Sequence, residues 1–135
     1  MEEYIIWESE TPGISFCEKY GRITVFKKTL EALGYPACFR FLFDPHNNGF
    51  AVQSCEIDDE GAHRLPSLID IEGMDIKSKA LVRFVYRSCQ WNRKISYRVP
   101  GRLVISHNMI CFDLNDALEI HEGRLLTEQQ EPVGV

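Results

Sequence analysis

The sequence predicts an α+β fold, made mainly of antiparallel strands, with one longer amphipathic helix near residues 76–89. Two patterns predict this class. Short runs in which apolar and polar residues alternate recur along the chain, and Gly, Pro and Asn separate them. Residues 76–89 instead repeat apolar side chains with the period of a helix. A chain of 135 residues that is 44% apolar suits one compact domain, expected over residues 1–120 and followed by a frayed tail at 121–135.

The first part of the chain is expected to form a small barrel or a curled sheet. An apolar run at residues 4–7 predicts either an edge strand or an arm that packs against a partner. Residues 14–18 alternate weakly between apolar and polar, and residues 22–25 are rich in β-branched side chains. Both patterns are typical of strands.

A short helix is predicted directly after these strands. Phe26, Leu30 and Leu33 are spaced so that one side of a helix is apolar. Gly34 and Pro36 then provide the residues that commonly end a helix. We therefore expect a helix of about two turns.

The clearest hairpin in the sequence spans residues 39–55. Phe39, Phe41 and Phe43 occupy alternate positions, which predicts that their face of the strand is buried. The turn at residues 44–49 contains Pro and Asn-Gly, which favour tight turns. The polar residues 56–65 that follow are expected to form a solvated acidic loop.

The second part of the chain predicts a helix and a three-stranded meander over residues 76–114. Asp75 is a candidate N-cap of the helix. Strands are expected near residues 95–99, 103–105 and 110–114, with turns at Pro100-Gly101 and His107-Asn108. Residues 115–120 suit either a final helical turn or an edge strand. The apolar stripe of the helix is predicted to contain Ile76, Ala80, Leu81, Phe84, Val85 and Cys89.

The five cysteines are expected to be buried free thiols, because their number is odd and no CxxC pair is present. They are Cys17, Cys38, Cys55, Cys89 and Cys111. The four histidines are scattered, and the sequence lacks the motifs of phosphate loops, zinc proteases and serine hydrolases. The sequence thus predicts a protein that is not an enzyme and that uses no metal or cofactor.

Charge is distributed very unevenly along the chain. All twenty acidic residues lie outside residues 76–112, a stretch with eight basic side chains, whereas the rest has seven basic residues. The net charge of the whole chain is −5. This polarity predicts an anion-binding face on an otherwise acidic protein. The eight basic residues are Lys77, Lys79, Arg83, Arg87, Arg93, Lys94, Arg98 and Arg102.

The spacing of these basic residues predicts two groups. Lys79, Arg83 and Arg87 recur every four residues and so share one side of the predicted helix. Arg98 and Arg102 flank the predicted turn between them. Cations combined with aromatic rings are typical of nucleic-acid binding, through phosphate contacts and base stacking. The interleaved aromatic residues are Phe84, Tyr86, Trp91 and Tyr97.

The same charge pattern allows a second interpretation. The positive surface can instead dock against the acidic remainder of the molecule or against an acidic partner, and the isoelectric point of about 5.4 is low for a DNA-binding domain. Under this interpretation the protein is a protein–protein interaction or assembly module.

The sequence predicts no association with a membrane. No apolar run approaches the roughly 20 residues that a membrane-spanning helix needs. The first residues are acidic, whereas a secretory signal begins with basic residues. We therefore expect a cytoplasmic location.

Residues 21–34, GRITVFKKTLEALG, resemble the signature of the AbrB/MazE/MraZ superfamily, which has a Gly-Arg-aliphatic strand, a short helix and a Leu-Gly at this spacing. Phe26 stands where that family usually has Pro, and Leu30 where many members have a basic residue. With the strand pair that follows, the resemblance covers residues 13–57. It implies a swapped-hairpin β-barrel homodimer that binds DNA, with Arg22, Lys27 and Lys28 as candidate phosphate contacts. The sequence as a whole thus predicts a nucleic-acid-binding regulator.

Overall fold

The computed structural model describes residues 11–66, 73–121 and 124–125. The run at residues 4–7, predicted as an edge strand or an arm, lies outside these residues. Within them, antiparallel strands form one curled sheet and two helices are present, so the predicted α+β class with mainly antiparallel strands is confirmed.

The strands follow the order β5-β3-β4-β8-β7-β1-β2-β6 across the sheet, and β9 with β10 is added beside the first residues of β7. The helices are α1 (Lys27–Ala32) and α2 (Lys79–Cys89). The strands are β1 (Gly13–Cys17), β2 (Arg22–Phe26), β3 (Cys38–Asp44), β4 (Gly49–Cys55), β5 (His63–Arg64), β6 (Gly73–Lys77), β7 (Ser96–Val104), β8 (Met109–Asp113), β9 (Leu118–His121) and β10 (Arg124–Leu125).

The hairpin of β3 and β4 is confirmed, with Phe39 buried and Phe41 and Phe43 half-buried. The short helix is also confirmed, and Gly34 follows it with a positive φ of 79°. The loop at residues 56–65 contains one feature that the sequence did not predict, since its end forms β5 and pairs with β3.

The predicted turn at Pro100-Gly101 is wrong, because β7 runs through both residues without interruption. One edge of β7 pairs with β1, and the other pairs first with β9 and then with β8. The Gly101 amide donates a hydrogen bond to the Pro12 carbonyl at 3.0 Å. A Cβ atom on Gly101 would lie 2.5 Å from Phe112, so this glycine permits a close approach of backbone to ring. The Pro-Gly pair therefore serves packing inside a strand.

The prediction that α2 begins after an Asp75 cap is also wrong. Asp75 and Ile76 belong to β6, where Ile76 pairs with Ile23 of β2. The Asp75 carboxylate accepts a hydrogen bond from the Thr24 hydroxyl at 2.7 Å. Helical periodicity cannot reveal a partner strand about 50 residues away, so the pattern assigned strand residues to the helix.

The buried face of α2 differs from the predicted stripe. Val82, Val85 and Tyr86 are buried, whereas Ala80 is exposed and Phe84 is half-exposed. Leu81 and Cys89 are half-buried, so the face that packs on the sheet is centred near Val85 and is displaced from the predicted stripe.

Tyr86 connects α2 to the sheet at the centre of the core. Its hydroxyl donates a hydrogen bond to the Ile95 carbonyl at 2.6 Å and lies 3.1 Å from the carbonyl of Phe16. Trp91 packs beside it and stacks on Tyr97 with ring centroids 4.3 Å apart. These contacts fix the end of α2 against β1 and β7.

The remaining expectations have mixed outcomes. Cys38 is buried as predicted, but the other four cysteines are half-buried, and all five are free thiols. Residues 114–121 contain both a single helical turn at Leu114–Asp116 and the strand β9. β9 ends at His121 and β10 lies beyond it, within the region predicted as a frayed tail, while residues 122–123 and 126–135 lie outside the described part.

In the described part of the chain, no helix has both the length and the apolar character needed to cross a membrane.

Candidate functional site

The turn between β1 and β2 holds the start of α2 in place. Gly21, with a φ of 60°, donates its amide to the Glu18 carbonyl at 3.1 Å and closes the turn. Its own carbonyl accepts the amide of Ser78 at 2.8 Å. Lys79 lies directly over Gly21, where a Cβ atom would be 3.0 Å from the Lys79 Cα. The first turn of α2 therefore sits on the β1–β2 turn.

Glu18 is the ionic centre of this region. Its side chain is only 8% exposed, and its Oε2 accepts a hydrogen bond from Arg93 at 3.2 Å and lies 3.6 Å from Nε of Arg83. The two arginine side chains are themselves 56% and 71% exposed. A nearly buried carboxylate thus orients two guanidinium groups that remain open to solvent.

Seven basic side chains lie in the β1–β2 turn, on the facing ends of β2 and β6, on α2 and just after it, and we call them the basic face. Lys19 and Arg22 lie within 5.4 Å and 5.1 Å of the Tyr20 ring, and Lys77 pairs with Arg22 across β2 and β6. Among the residues that the structure describes, Glu18 is the one carboxylate that forms an ion pair with these side chains. The members of the basic face are Lys19, Arg22, Lys77, Lys79, Arg83, Arg87 and Arg93.

The basic face carries an electrostatic cost for the fold. Like charges that lie directly opposite on neighbouring strands, such as Arg22 and Lys77, destabilise a sheet. Lys79, Arg83 and Arg87 add repulsion along the helix of about 0.2–0.5 kcal/mol per pair. An anion bound at this face would relieve the repulsion.

A cavity of about 510 Å³ opens beside Glu18 within the basic face. Arg83, Arg87 and Arg93 line it together with the rings of Tyr86 and Trp91. Burial raises the pKa of Tyr86, so its hydroxyl stays protonated and keeps donating to the Ile95 carbonyl. The Tyr86 side chain of the cavity wall is therefore anchored to the core by a hydrogen bond.

Eight residues were predicted as contacts with nucleic acid, namely Arg22, Lys27, Lys28, Lys79, Arg83, Arg87, Arg98 and Arg102. Four of them belong to the basic face: Arg22, Lys79, Arg83 and Arg87. The other four do not join them. Lys27 and Lys28 lie on α1, where Lys28 forms an ion pair with Glu31 at 2.7 Å.

Arg98 and Arg102 also lie away from the basic face, and the turn predicted between them is absent. The Arg98 guanidinium lies 4.1 Å from the centre of the Phe26 ring, and burial lowers its pKa. Arg102 is exposed and pairs with Cys111 of β8. Because β7 is continuous, the two arginines sit in different parts of the sheet.

The predicted set of nucleic-acid contacts omitted three members of the basic face and its ionic centre. Arg93 and Lys77 belong to the acid-free stretch, so the charge pattern was sufficient to propose them, and Lys19 sits in the turn before Arg22. Glu18 had no such signal, because it meets Arg93 across 75 residues of sequence.

Comparison with protein families, curated proteins and solved structures found no match for this chain. Among the described residues, no group of three or more His, Cys, Asp or Glu side chains is placed to hold a metal ion. The chemistry that the basic face offers is the binding of anions by guanidinium and ammonium groups next to aromatic rings.

Proposed function

We propose that the protein is a non-enzymatic regulator that binds nucleic acid through the basic face. The supporting observation is that Arg83 and Arg93 contact the nearly buried Glu18, and that the other members of the basic face come from the adjoining β1–β2 turn, β2, β6 and α2. Phosphate contacts from lysine and arginine supply most of the affinity in sequence-independent binding of nucleic acid.

The charge of the rest of the chain favours one orientation of binding. The whole chain has a net charge of −5, so the residues outside the basic face carry a large excess of negative charge. A polyanion is repelled by that surface and attracted to the basic face, which directs its approach. Each phosphate that the face neutralises should lower the slope of log K against log salt by about 0.9.

The resemblance of residues 13–57 to the AbrB/MazE/MraZ superfamily gives independent support. From it we propose an AbrB-like DNA-binding regulator that acts as a homodimer in the cytoplasm. Lys27 and Lys28 enter this proposal through the resemblance alone, because α1 lies apart from the basic face. Arg22 belongs to both sets.

Titration of a labelled DNA duplex, followed by fluorescence anisotropy at 50 mM salt, tests the proposal. The double change Arg83→Glu with Arg87→Glu should abolish binding, because it replaces two attractive contacts with two repulsive ones. The matched control is Arg64→Glu with Arg102→Glu, which changes the net charge equally at two exposed positions outside the basic face. Absence of binding by the natural protein, or equal losses in both double variants, would refute the proposal.

The alternative is a protein–protein interaction or assembly module whose basic face docks an acidic surface. Exposed apolar side chains favour it, since Ile105 is 80% exposed and Leu103 and Leu42 are 42% and 38% exposed. Such side chains commonly mark interfaces. Under this alternative, light scattering should detect an oligomer that the Arg83→Glu, Arg87→Glu variant alters, while DNA remains unbound by the natural protein.

A further inference from the structure

We propose that the cavity beside Glu18 is a binding site for a phosphomonoester, such as the phosphate of a nucleoside monophosphate. Arg83, Arg87 and Arg93 are its phosphate ligands, and Glu18 is a positioning residue. The inference deepens the proposed function and rests on the same basic face. It assigns one discrete cavity to one chemical group, whereas the proposed function concerns the whole face.

The charge of the cavity suits this ligand. Among the described residues, three guanidinium groups and one carboxylate line it, which leaves an excess of two positive charges. A phosphomonoester carries about −1.5 to −2 charges at neutral pH. A bound phosphomonoester therefore neutralises the cavity, whereas a phosphodiester, with one negative charge, does so only in part.

The contacts with Glu18 leave Arg83 and Arg93 with free N–H donors that can bind a phosphate group. A guanidinium group has five N–H donors in a planar fork, and the contact with Glu18 uses one edge of each fork. Both arginine side chains are more than half exposed, so the remaining donors are accessible to a ligand. Since Glu18 is almost fully buried, the orientation that it imposes is held by the fold.

The aromatic wall favours an organic phosphate over the inorganic ion. Trp91 lines the cavity, and its ring is fixed by stacking on Tyr97 and by edge contacts with Tyr86 and Phe16. The volume of about 510 Å³ exceeds the needs of a phosphate ion and falls within the range of roughly 300–1,000 Å³ that small-molecule sites occupy. A ribose or a base can occupy the remaining space beside the indole.

Calorimetric titration of the full chain with AMP, adenosine and inorganic phosphate tests the inference. AMP should bind saturably, and adenosine and phosphate should each bind at least tenfold more weakly. Arg87→Ala should weaken AMP binding about tenfold or more, because a hydrogen bond to a charged group is lost. The exposed Arg102→Ala is the control and should leave it unchanged. Equal binding of AMP and adenosine, or no effect of Arg87→Ala, would overturn the inference.

Glu18→Gln separates positioning from simple charge. The change removes one negative charge from the cavity, so electrostatics alone predicts tighter binding of AMP, whereas loss of positioning predicts weaker binding. Thermal unfolding should first establish that the variant is folded. Tighter binding in a folded variant would refute the role of Glu18.

Single-stranded oligonucleotides as competitors identify the source of the phosphate. If a 5′-phosphorylated strand displaces AMP far better than its 5′-hydroxyl counterpart and better than free AMP, the ligand is a strand end. If it competes no better than AMP, the ligand is a free nucleotide. Equal competition by the two strands would contradict a phosphomonoester site. A duplex with hydroxyl ends, titrated in parallel, reports on the proposed function separately, because its failure to bind leaves the AMP result intact.

Discussion

Lys79 lies against Gly21, so the first residue of α2 occupies the space that a side chain on the β1–β2 turn would need. Gly21 has a φ of 60°, a conformation that other residues adopt only with strain. The turn, the helix start and the basic face therefore depend on one glycine.

Gly21→Ala should destabilise the protein by about 2–3 kcal/mol, because it combines left-handed backbone strain with a clash against Lys79. Gly34→Ala is the matched control, since Gly34 has a φ of 79° and open space around it. It should cost about 1–2 kcal/mol from the backbone alone. Urea unfolding measures both, and equal costs would show that the contact with Lys79 contributes nothing.

Gly101→Ala should destabilise the protein by about 1–3 kcal/mol through overpacking. Its Cβ atom would lie 2.5 Å from Phe112 and 2.7 Å from Ile110, two buried residues of β8. Gly49→Ala is the control, because its nearest neighbour would be 3.8 Å away. Gly49→Ala should stay within about 0.5 kcal/mol of the natural protein. If Gly49→Ala shifted the unfolding midpoint as much as Gly101→Ala does, this account would be contradicted.

Tyr86→Phe should cost about 1–2 kcal/mol, because it removes the hydroxyl that bonds the Ile95 carbonyl inside the core. Tyr35→Phe, which alters an exposed tyrosine, should have almost no effect on the free energy of unfolding. Chemical denaturation of both variants checks the difference. If Tyr86→Phe left the free energy of unfolding unchanged, another donor would have to satisfy the Ile95 carbonyl.

His63 should make the stability depend on pH. Its ring packs beside Phe39 and Phe41, and burial lowers its pKa below the ordinary value of 6.5. The unfolded chain then binds the proton more readily, so stability is complete above about pH 6.5 and declines as the pH falls toward the lower folded pKa.

The measurement is urea unfolding between pH 5 and 8. His63→Gln should flatten the decline, whereas His46→Gln, at the exposed hairpin turn, serves as the control. An unchanged slope in His63→Gln would assign the pH dependence to other groups.

The sequence predicted elements whose signals are local. The β3–β4 hairpin followed from alternating phenylalanines around a Pro- and Asn-Gly-containing turn, and α1 followed from three apolar residues ended by Gly34. The predictions of a turn at Pro100-Gly101 and of a helix cap at Asp75 failed for the same reason. In both places a local signal for a turn or a cap was overridden by pairing with a distant strand, of β7 with β1 and β8 and of β6 with β2.

The candidate site likewise has a part that the sequence predicted and a part that only the fold decided. The run of basic residues without acidic neighbours is a property of the chain alone, and its spacing predicted that Lys79, Arg83 and Arg87 share one side of a helix. Which cations meet is decided by folding, because strand pairing sets Arg22 opposite Lys77, and Glu18 brings Arg83 and Arg93 to one carboxylate. Charge and periodicity are properties of consecutive residues, whereas proximity between residues far apart in sequence arises only when the chain packs around its core.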